Sequence, residues 1–565
     1  MTPRTSTPSP RASLAARYGP LTVVLVAIAL VAVLASTGRS DRTAGTVAAS
    51  KVGSSDARLP ITYAEAKKAG TVSRYDWGRR CDPKTGRITV PSVYAPPCEV
   101  ARPGVAGGAT SPGVTATAIT VVLYEAADDD LAASLQATLD AADVRRDASA
   151  KLLAMYQDRF ATWGRELKIV NLKGSGSDET SARADAVKVA SEIGAFASIG
   201  GPSQQGAYAE ELASRKVLCV GCGLSVPDSE FQKEAPYLWG SLETPEQFLL
   251  NVGDYLIERL NHKKASFAGD PAMRARPRVF GSVNFEQDPP VFGAVSKQVD
   301  KEGAARGYRP AAKLTYQLVI PELAEKARVL IARLKEKKVT TVIFVGDPIM
   351  PIYLTRAATD QDYFPEWVIT GTVLTDTTVF GRQYDQRQWA HAFGLSSLPA
   401  RVPPEEADAW RLYRWYYGTD PKATKTINVL DPAIRLFMTG VHMAGPDLTP
   451  ETFRDGLFAY PPSGGSPIYP QVSYGDHGYF RSTDYTSVDD MGEIWWDAKA
   501  TGFSEQGIEA KGMMRYADGG KRYLPGHMAK DDPHAFRTAG SVTVYPGVPA
   551  RWAPPSYPSP AKGGG

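Results

Sequence analysis

The chain has 565 residues, 43% of them hydrophobic and 22% charged, with a formal net charge of +3. That length exceeds a single hydrophobic core, so two or more lobes are expected. The composition is that of a globular protein, and so small a net charge with no long basic run argues against a nucleic-acid partner.

The N-terminus carries the compartment signal. Arg4, Arg11 and Arg17 precede LTVVLVAIALVAVLAS at 21–36, a run without charge. A basic flank followed by a short apolar run marks export. The run is short for a spanning helix, which needs roughly 20 residues. Residues 1–36 are therefore expected to be a cleaved signal peptide, with Val33-Leu34-Ala35 at the cleavage site, or a retained membrane anchor. In both cases the remainder faces the outside, anchored at the extracellular face or secreted, because the basic flank stays inside.

Residues 37–112 read as a flexible spacer with a cysteine loop, Cys81 and Cys98 lying among Pro, Gly and aromatic residues. In an exported chain these two are expected to form a disulfide, with two free thiols as the alternative. The folded body starts near Gly113. ITVVLY at 119–124 and LKIVNL at 167–172 are buried strands, with a helical stretch over 131–163 between them. Ala182, Ala186, Val189, Ala190 and Ile193 mark one face of the next helix.

The stretch 195–225 then gives strand, glycine turn, helix, strand and turn. Ala195–Ile199 is broken by Gly200-Gly201-Pro202, and Ser203 is a natural N-cap for a helix over 204–214. Lys216–Val220 is the second strand. Parallel βαβ units bind ligands beyond the carboxyl ends of their strands, which directs attention to the turns at 201–204 and 221–225.

From 244 the pattern restarts. Thr244-Pro245-Glu246-Gln247 is a cap with proline at the first helical position. Strands are expected at 278–283, 313–318, 339–345 and 367–370, with helices near 289–306, 323–334 and up to about 359. Residues 372–460 read as further helix, including VFGRQYDQRQWAHAFGLSS, and 470–527 as strands and turns. The Pro-, Ser- and Gly-rich tail over 526–565 is expected to be disordered.

Three segments carry a resemblance: GVTATAITVVLY at 113–124, FASIGGPSQQGAYAEELASRKVLCVG at 196–221 and TVIFVGDPIMPIYLTRAA at 341–358. Across about 113–525 the chain resembles the type I periplasmic-binding fold. The closest class within it is the branched-chain amino acid and amide class of ABC-transporter solute-binding proteins, leucine-binding-protein-like. The resemblance implies an α/β fold of two lobes, each a mainly parallel sheet with helices on both faces, joined by three crossovers. It places the first lobe at 113–243 plus 372–465 and the second at 244–371 plus 466–525.

The implied function is capture of a small polar ligand, amino acid or amide-like, between the lobes and delivery to an ABC permease. A monomer without catalytic activity, cofactor or metal is expected. The alternative is a surface-anchored sensor or interaction protein using the same fold without a transporter. By position in the family pattern, Ser203, Gln204, Cys222 and Ser225 match first-lobe ligand contacts. Asp347 matches a second-lobe partner for an ammonium group. The family's aromatic-glycine segment is replaced by Asp270-Pro271-Ala272-Met273, and Asn284 further on is another candidate.

Each candidate has a plainer reading. Ser203 is explained by helix capping alone, and Asp347 by capping ahead of Pro348. Cys219 and Cys222 form a CxxC pair without a second pair or a histidine pair at zinc spacing, so a structural disulfide or two buried thiols is expected. Trp495, Trp496, Tyr474, Tyr479 and Tyr485 are more often packing than ligand stacking. The six histidines are scattered, and the local signatures of hydrolases, zincins, P-loops and dinucleotide sites are missing.

Overall fold

The computed structural model describes residues 58–130, 140–203, 206–223, 226–286 and 291–562. The apolar run at 21–36, the spacer up to 57, the start of the helix expected from 131, and the candidates Gln204 and Ser225 lie outside the described residues. Among the described residues no helix is long and apolar enough to cross a membrane.

Two sheets organise the chain. The first is built from β1 (Ala118–Glu125), β2 (Glu166–Lys173), β3 (Ala197–Ile199), β4 (Leu218–Val220) and β5 (Leu238–Trp239). Their order is β2-β1-β3-β4-β5, all parallel. The second contains β6 (Phe280–Phe285), β7 (Ala312–Tyr316), β8 (Thr341–Val345), β9 (Glu366–Ile369) and β10 (Ala392–Ser396). These run parallel in the order β7-β6-β8-β9-β10, which repeats the first sheet's order. Antiparallel strands β11 (Met491–Phe503), β12 (Glu509–Tyr516) and β13 (Arg522–Tyr523) extend it. β3, β4, β6, β8 and β9 are buried along their whole length, so none shows the apolar–polar alternation of a half-exposed strand.

The helices follow the same logic. The main ones are α1 (Ala142–Arg159), α2 (Glu179–Val187), α3 (Gly206–Ser214), α4 (Pro245–Asp254), α5 (Val291–Ala304), α6 (Leu323–Glu336) and α7 (Met350–Asp360). They are followed by α8 (Asp408–Tyr417), α9 (Ile427–Ala444) and α10 (Pro450–Ala459). α4 starts in a complete capping box, Thr244 and Gln247 each bonding the other's backbone. α6 buries Leu323, Ala327, Leu330, Ile331 and Leu334, a stripe of helical spacing.

The chain passes between lobes three times. It leaves the first sheet after β5 and returns after β10 to build α9, which packs on α1, β3 and β4. It leaves again before β11. The second passage falls later than the sequence reading placed it, which gave 372–465 to the first lobe. Residues 392–396 form β10 of the larger sheet instead. That strand was read as helix because it is short and holds Gly394. The glycine is needed there: a Cβ at 394 would run into the backbone of Ile369 on the neighbouring strand.

Two extensions are also ordered where the sequence suggested flexibility. Over 58–112 a Cys81–Cys98 disulfide closes the loop, and Ile88, Val90, Tyr94 and Ala95 are buried in the core. Tyr94 donates its hydroxyl proton to the Pro470 carbonyl at 2.8 Å. The tail over 526–562 straps across both lobes. Arg259 pairs with Asp531 at 3.2 Å, and the Trp415 indole donates to the Tyr557 carbonyl at 3.0 Å. Proline fixes φ in advance, so ordering such a segment costs less entropy than its composition suggests. Phe536, Tyr545 and Trp552 supply the apolar anchors.

Candidate functional site

In sheets of this order the carboxyl ends flank a crevice where the order reverses, between β1 and β3 and again between β6 and β8. In the first lobe, β3 runs into Gly200, which takes the left-handed region at φ 82°. A Cβ at Gly201 would lie 2.9 Å from the Tyr208 ring and 3.3 Å from Cys222 Cβ, so glycine lets the turn pass between them. Ser203 is buried, and its hydroxyl does not stand open at the turn. Its backbone N–H donates to Asp130 Oδ2 at 3.0 Å and its Oγ donates to Asp130 Oδ1 at 2.5 Å. The loop after β1 thus clamps the turn after β3. Cys222 lies beside that turn, bonded to Cys219 in a disulfide that ties the end of β4 to its own turn.

In the second lobe, Asp347 follows β8 and is buried. Its Oδ1 accepts from the N–H groups of Ile349 at 2.7 Å and Met350 at 3.0 Å, and its Oδ2 accepts from the Tyr316 hydroxyl. The carboxylate therefore caps the start of α7. Burial raises its pKa above the ordinary aspartate value. Asn284 lies in register with Val345 at the same end of the sheet, but it too is turned to neighbours. It accepts from Ser296 Oγ at 2.7 Å and donates to Ser282 Oγ at 3.0 Å. So Ser203 and Cys222 are brought together in the first lobe and Asn284 and Asp347 in the second, each already hydrogen-bonded or disulfide-bonded.

The loop after β9 was not singled out from sequence. Thr370 Oγ1 donates to the Phe344 carbonyl at 2.7 Å, Gly346 N–H donates to Thr372 Oγ1 at 3.0 Å, and Thr375 Oγ1 donates to the Thr372 carbonyl at 2.8 Å. This scaffold holds Val373 at φ 42° and Leu374 at φ 64°, a costly conformation for side chains of that size. Both are exposed, at 43% and 45%. The only local signal was the threonine-rich TGTVLTDTT, which shows hydroxyl supply but not which neighbours are pinned.

Between the lobes runs a seam of crossing segments. Gly240 N–H donates to the Tyr485 carbonyl at 2.9 Å, and Gln247 Nε2 donates to Asp484 Oδ1 at 2.6 Å. Burial pushes the Glu243 carboxyl up to about 8 and Asp489 up to about 7, and raises Asp484 well above its ordinary range. Asp490 pairs with Arg522 at 2.8 Å. Glu243 Oε1, Asp484 Oδ2 and Asp489 Oδ1 are buried without a hydrogen-bond partner among the described residues. Among those residues no group of three or more His, Cys, Asp or Glu is placed to hold a metal ion. The aromatics of this region pack on one another: Tyr485 and Tyr474 meet the Trp239 ring edge-on at 5.0 and 6.1 Å.

No family model matches the chain, and no curated protein matches it. Solved structures do. A substrate-binding protein of an amino acid ABC transporter from Pseudomonas fluorescens Pf-5 aligns at TM-score 0.49 and 10% identity, over 75% of this chain and 100% of that one. A putative branched-chain amino acid ABC transporter protein from Rhodospirillum rubrum aligns at TM-score 0.46 and 14% identity, over 67% and 97%. The branched-chain amino acid transporter substrate-binding protein LivJ from Streptococcus pneumoniae, solved with isoleucine, aligns at TM-score 0.44 and 12% identity, over 71% and 100%. The two-lobed fold assignment rests on the strand order of the two sheets.

Proposed function

We propose that the chain is an exported solute-binding protein. It closes two α/β lobes on a small ligand, amino acid or amide-like, and presents the closed form to an ABC permease without performing chemistry on the ligand. The observation that carries this reading is the repeated strand order: two lobes, each with a reversal point at the carboxyl ends, joined by three chain passages. Passages of this kind permit hinge closure, and a ligand bridging both lobes shifts the open–closed equilibrium. Ser203, Gln204, Cys222, Ser225, Asn284 and Asp347 are proposed to border the ligand. Val373 and Leu374 join them as apolar contacts, because their backbone strain and exposure are otherwise uncompensated. The ligand on this reading has an apolar portion beside its polar head.

The test is thermal unfolding of the purified protein against amino acids, amides, aromatic acids and short-chain acids. A solute at 100 times its dissociation constant adds about 2.7 kcal/mol to stability. The expected result is one chemical class that stabilises the protein, with the effect reduced at least about tenfold in affinity, or 1.4 kcal/mol, in Leu374→Asp. A stabilising solute whose effect is indifferent to Leu374→Asp and to Asp347→Asn would place its site elsewhere and overturn the interlobe reading.

A further inference from the structure

A groove of ≈ 300 Å³ lies away from the seam between the lobes, walled by the cysteine loop, the loop after α10 and the proline-rich tail. Two of these segments extend the two-lobed body, and the third is the loop that follows its helix α10. A volume near 300 Å³ is at the lower end for small-molecule sites.

The lining is chemically specific. Ile88, Val90, Val93, Pro462, Pro555 and the Tyr557 ring give an apolar wall. Arg87 is the only ionisable basic group in it. Its guanidinium is half-buried and held in place: Nη1 donates to the Ala95 carbonyl at 2.5 Å and Nη2 to Ser463 Oγ at 2.8 Å. Both partners are neutral, and no carboxylate among the described residues pairs with it. The two acids nearby bond hydroxyls of the groove wall and not Arg87. Asp82 accepts from the Tyr557 hydroxyl at 2.9 Å and Asp408 from Ser92 Oγ at 2.6 Å. A half-buried arginine without a counter-charge, fixed at the edge of an apolar groove, is arranged for an anion with an apolar body. The planar fork favours a carboxylate.

We propose that this groove is a second binding site, separate from the interlobe crevice, for a small monocarboxylate whose apolar body lies along Val90, Val93 and Pro555 and whose head pairs with Arg87. The tail is part of the site, since it contributes Pro555 and Tyr557. Binding there stabilises the docked tail, because the ligand touches it only when it is docked.

Titration calorimetry of the full chain with hexanoate and with benzoate tests this, using hexanol and benzyl alcohol as uncharged controls. Saturable binding of at least one acid is expected, with its alcohol at least about tenfold weaker. Arg87→Gln keeps a hydrogen-bonding side chain but removes the charge. Pro555→Trp fills the groove from its exposed rim without touching the core. Each is expected to weaken the acid at least about tenfold, Arg87→Lys less, and Leu374→Asp not at all. The proposal is overturned if neither acid binds the folded protein up to about 10 mM. It is equally overturned if binding survives both Arg87→Gln and Pro555→Trp with circular dichroism showing both variants folded.

Discussion

The two lobes share one strand order but are tied at their amino-terminal edges by different chemistry. In the second lobe, Arg278 ahead of β6 forks onto Glu366 at the start of β9, at 2.7 and 2.9 Å, with 2% and 0% of the side chains exposed. Glu366 also accepts from Thr341 Oγ1 at 2.7 Å and from Phe267 N–H at 2.9 Å. In the first lobe, the same edge is held by Arg165 ahead of β2. It donates to the carbonyls of Thr115 at 2.9 Å, Gly108 at 3.1 Å and Pro446 at 2.7 Å, with Asp447 acting only through its charge and taking none of these bonds. A repeated topology thus fixes where an edge must be tied but not with what. The charge-paired edge depends on two groups each needing the other, whereas the neutral one spreads its bonds over backbone that cannot be lost by mutation.

The largest expected effect breaks that contrast open. Glu366→Ala leaves the Arg278 charge buried and unpaired and is expected to cost about 3–5 kcal/mol. The double change Arg278→Met/Glu366→Leu removes both charges and is expected to recover most of that loss. Urea unfolding of the three proteins checks this. A double variant no more stable than Glu366→Ala would show that the packing around the pair, and not the orphaned charge, sets the cost.

A second contrast separates the lobes from the seam, and pH reads it. Glu243 and Asp489 are pushed up to about 8 and about 7 by burial. Unfolded, they ionise near pH 4. Between those values the native state binds more protons, so stability falls as pH rises. Their contribution is fully present below the unfolded values and lost as pH climbs through the folded ones. His442, buried in the first lobe, works the other way. Burial holds it at about 4, so the unfolded chain binds the extra proton below about 6.5 and stability rises with pH there. Only above about 6.5 do the raised acids act unopposed, with Asp376, at about 7, adding to them from the second lobe. Stability is expected to drop by about 3 kcal/mol between pH 6.5 and 8, and Asp489→Asn to flatten part of that slope. Denaturant midpoints at the two pH values decide it; a flat profile in the parent protein would show that the seam acids are ionised or solvated at neutral pH.

What the sequence made legible follows from how each feature is encoded. Strands such as β8 and helices such as α6 were readable because burial on both faces, or on one stripe, leaves a local apolar pattern. The cap at Thr244 was readable because a cap is written within four residues. β10 was not, because five residues around Gly394 carry too little pattern to outvote the helical stretch before them. The ordering of the tail was not, because it depends on Trp415 and Asp82, distant in the chain. The partners of Ser203 and Asp347 were equally hidden: Asp130 is 73 residues from one and Tyr316 is 31 from the other. A lone serine or aspartate at a turn shows that a cap is available, not whether its oxygens remain free.

The smallest expected effects address those two turns directly. Asp347→Ala removes the cap of α7 and leaves the buried Tyr316 hydroxyl without its acceptor, a cost of about 1–2 kcal/mol. Ser203→Ala removes the hydroxyl bond to Asp130 but keeps the one from the backbone N–H at 203, and is expected to cost about 1 kcal/mol. Asp347→Asn is the informative change. Its Oδ1 still accepts from Ile349 and Met350, but its amide turns the Tyr316 hydroxyl from donor to acceptor and leaves that O–H unpaired, so the expected cost is about 1 kcal/mol, with the helix cap kept. It does remove the negative charge. If Asp347 also pairs with a ligand ammonium, the stabilisation added by a cationic or zwitterionic solute, measured against the unliganded variant, falls in Asp347→Asn. If capping is its whole task, the solute's effect is unchanged. Thermal unfolding of Asp347→Asn with and without solute therefore separates the two uses of one carboxylate, which Asp347→Ala, damaging both at once, cannot do.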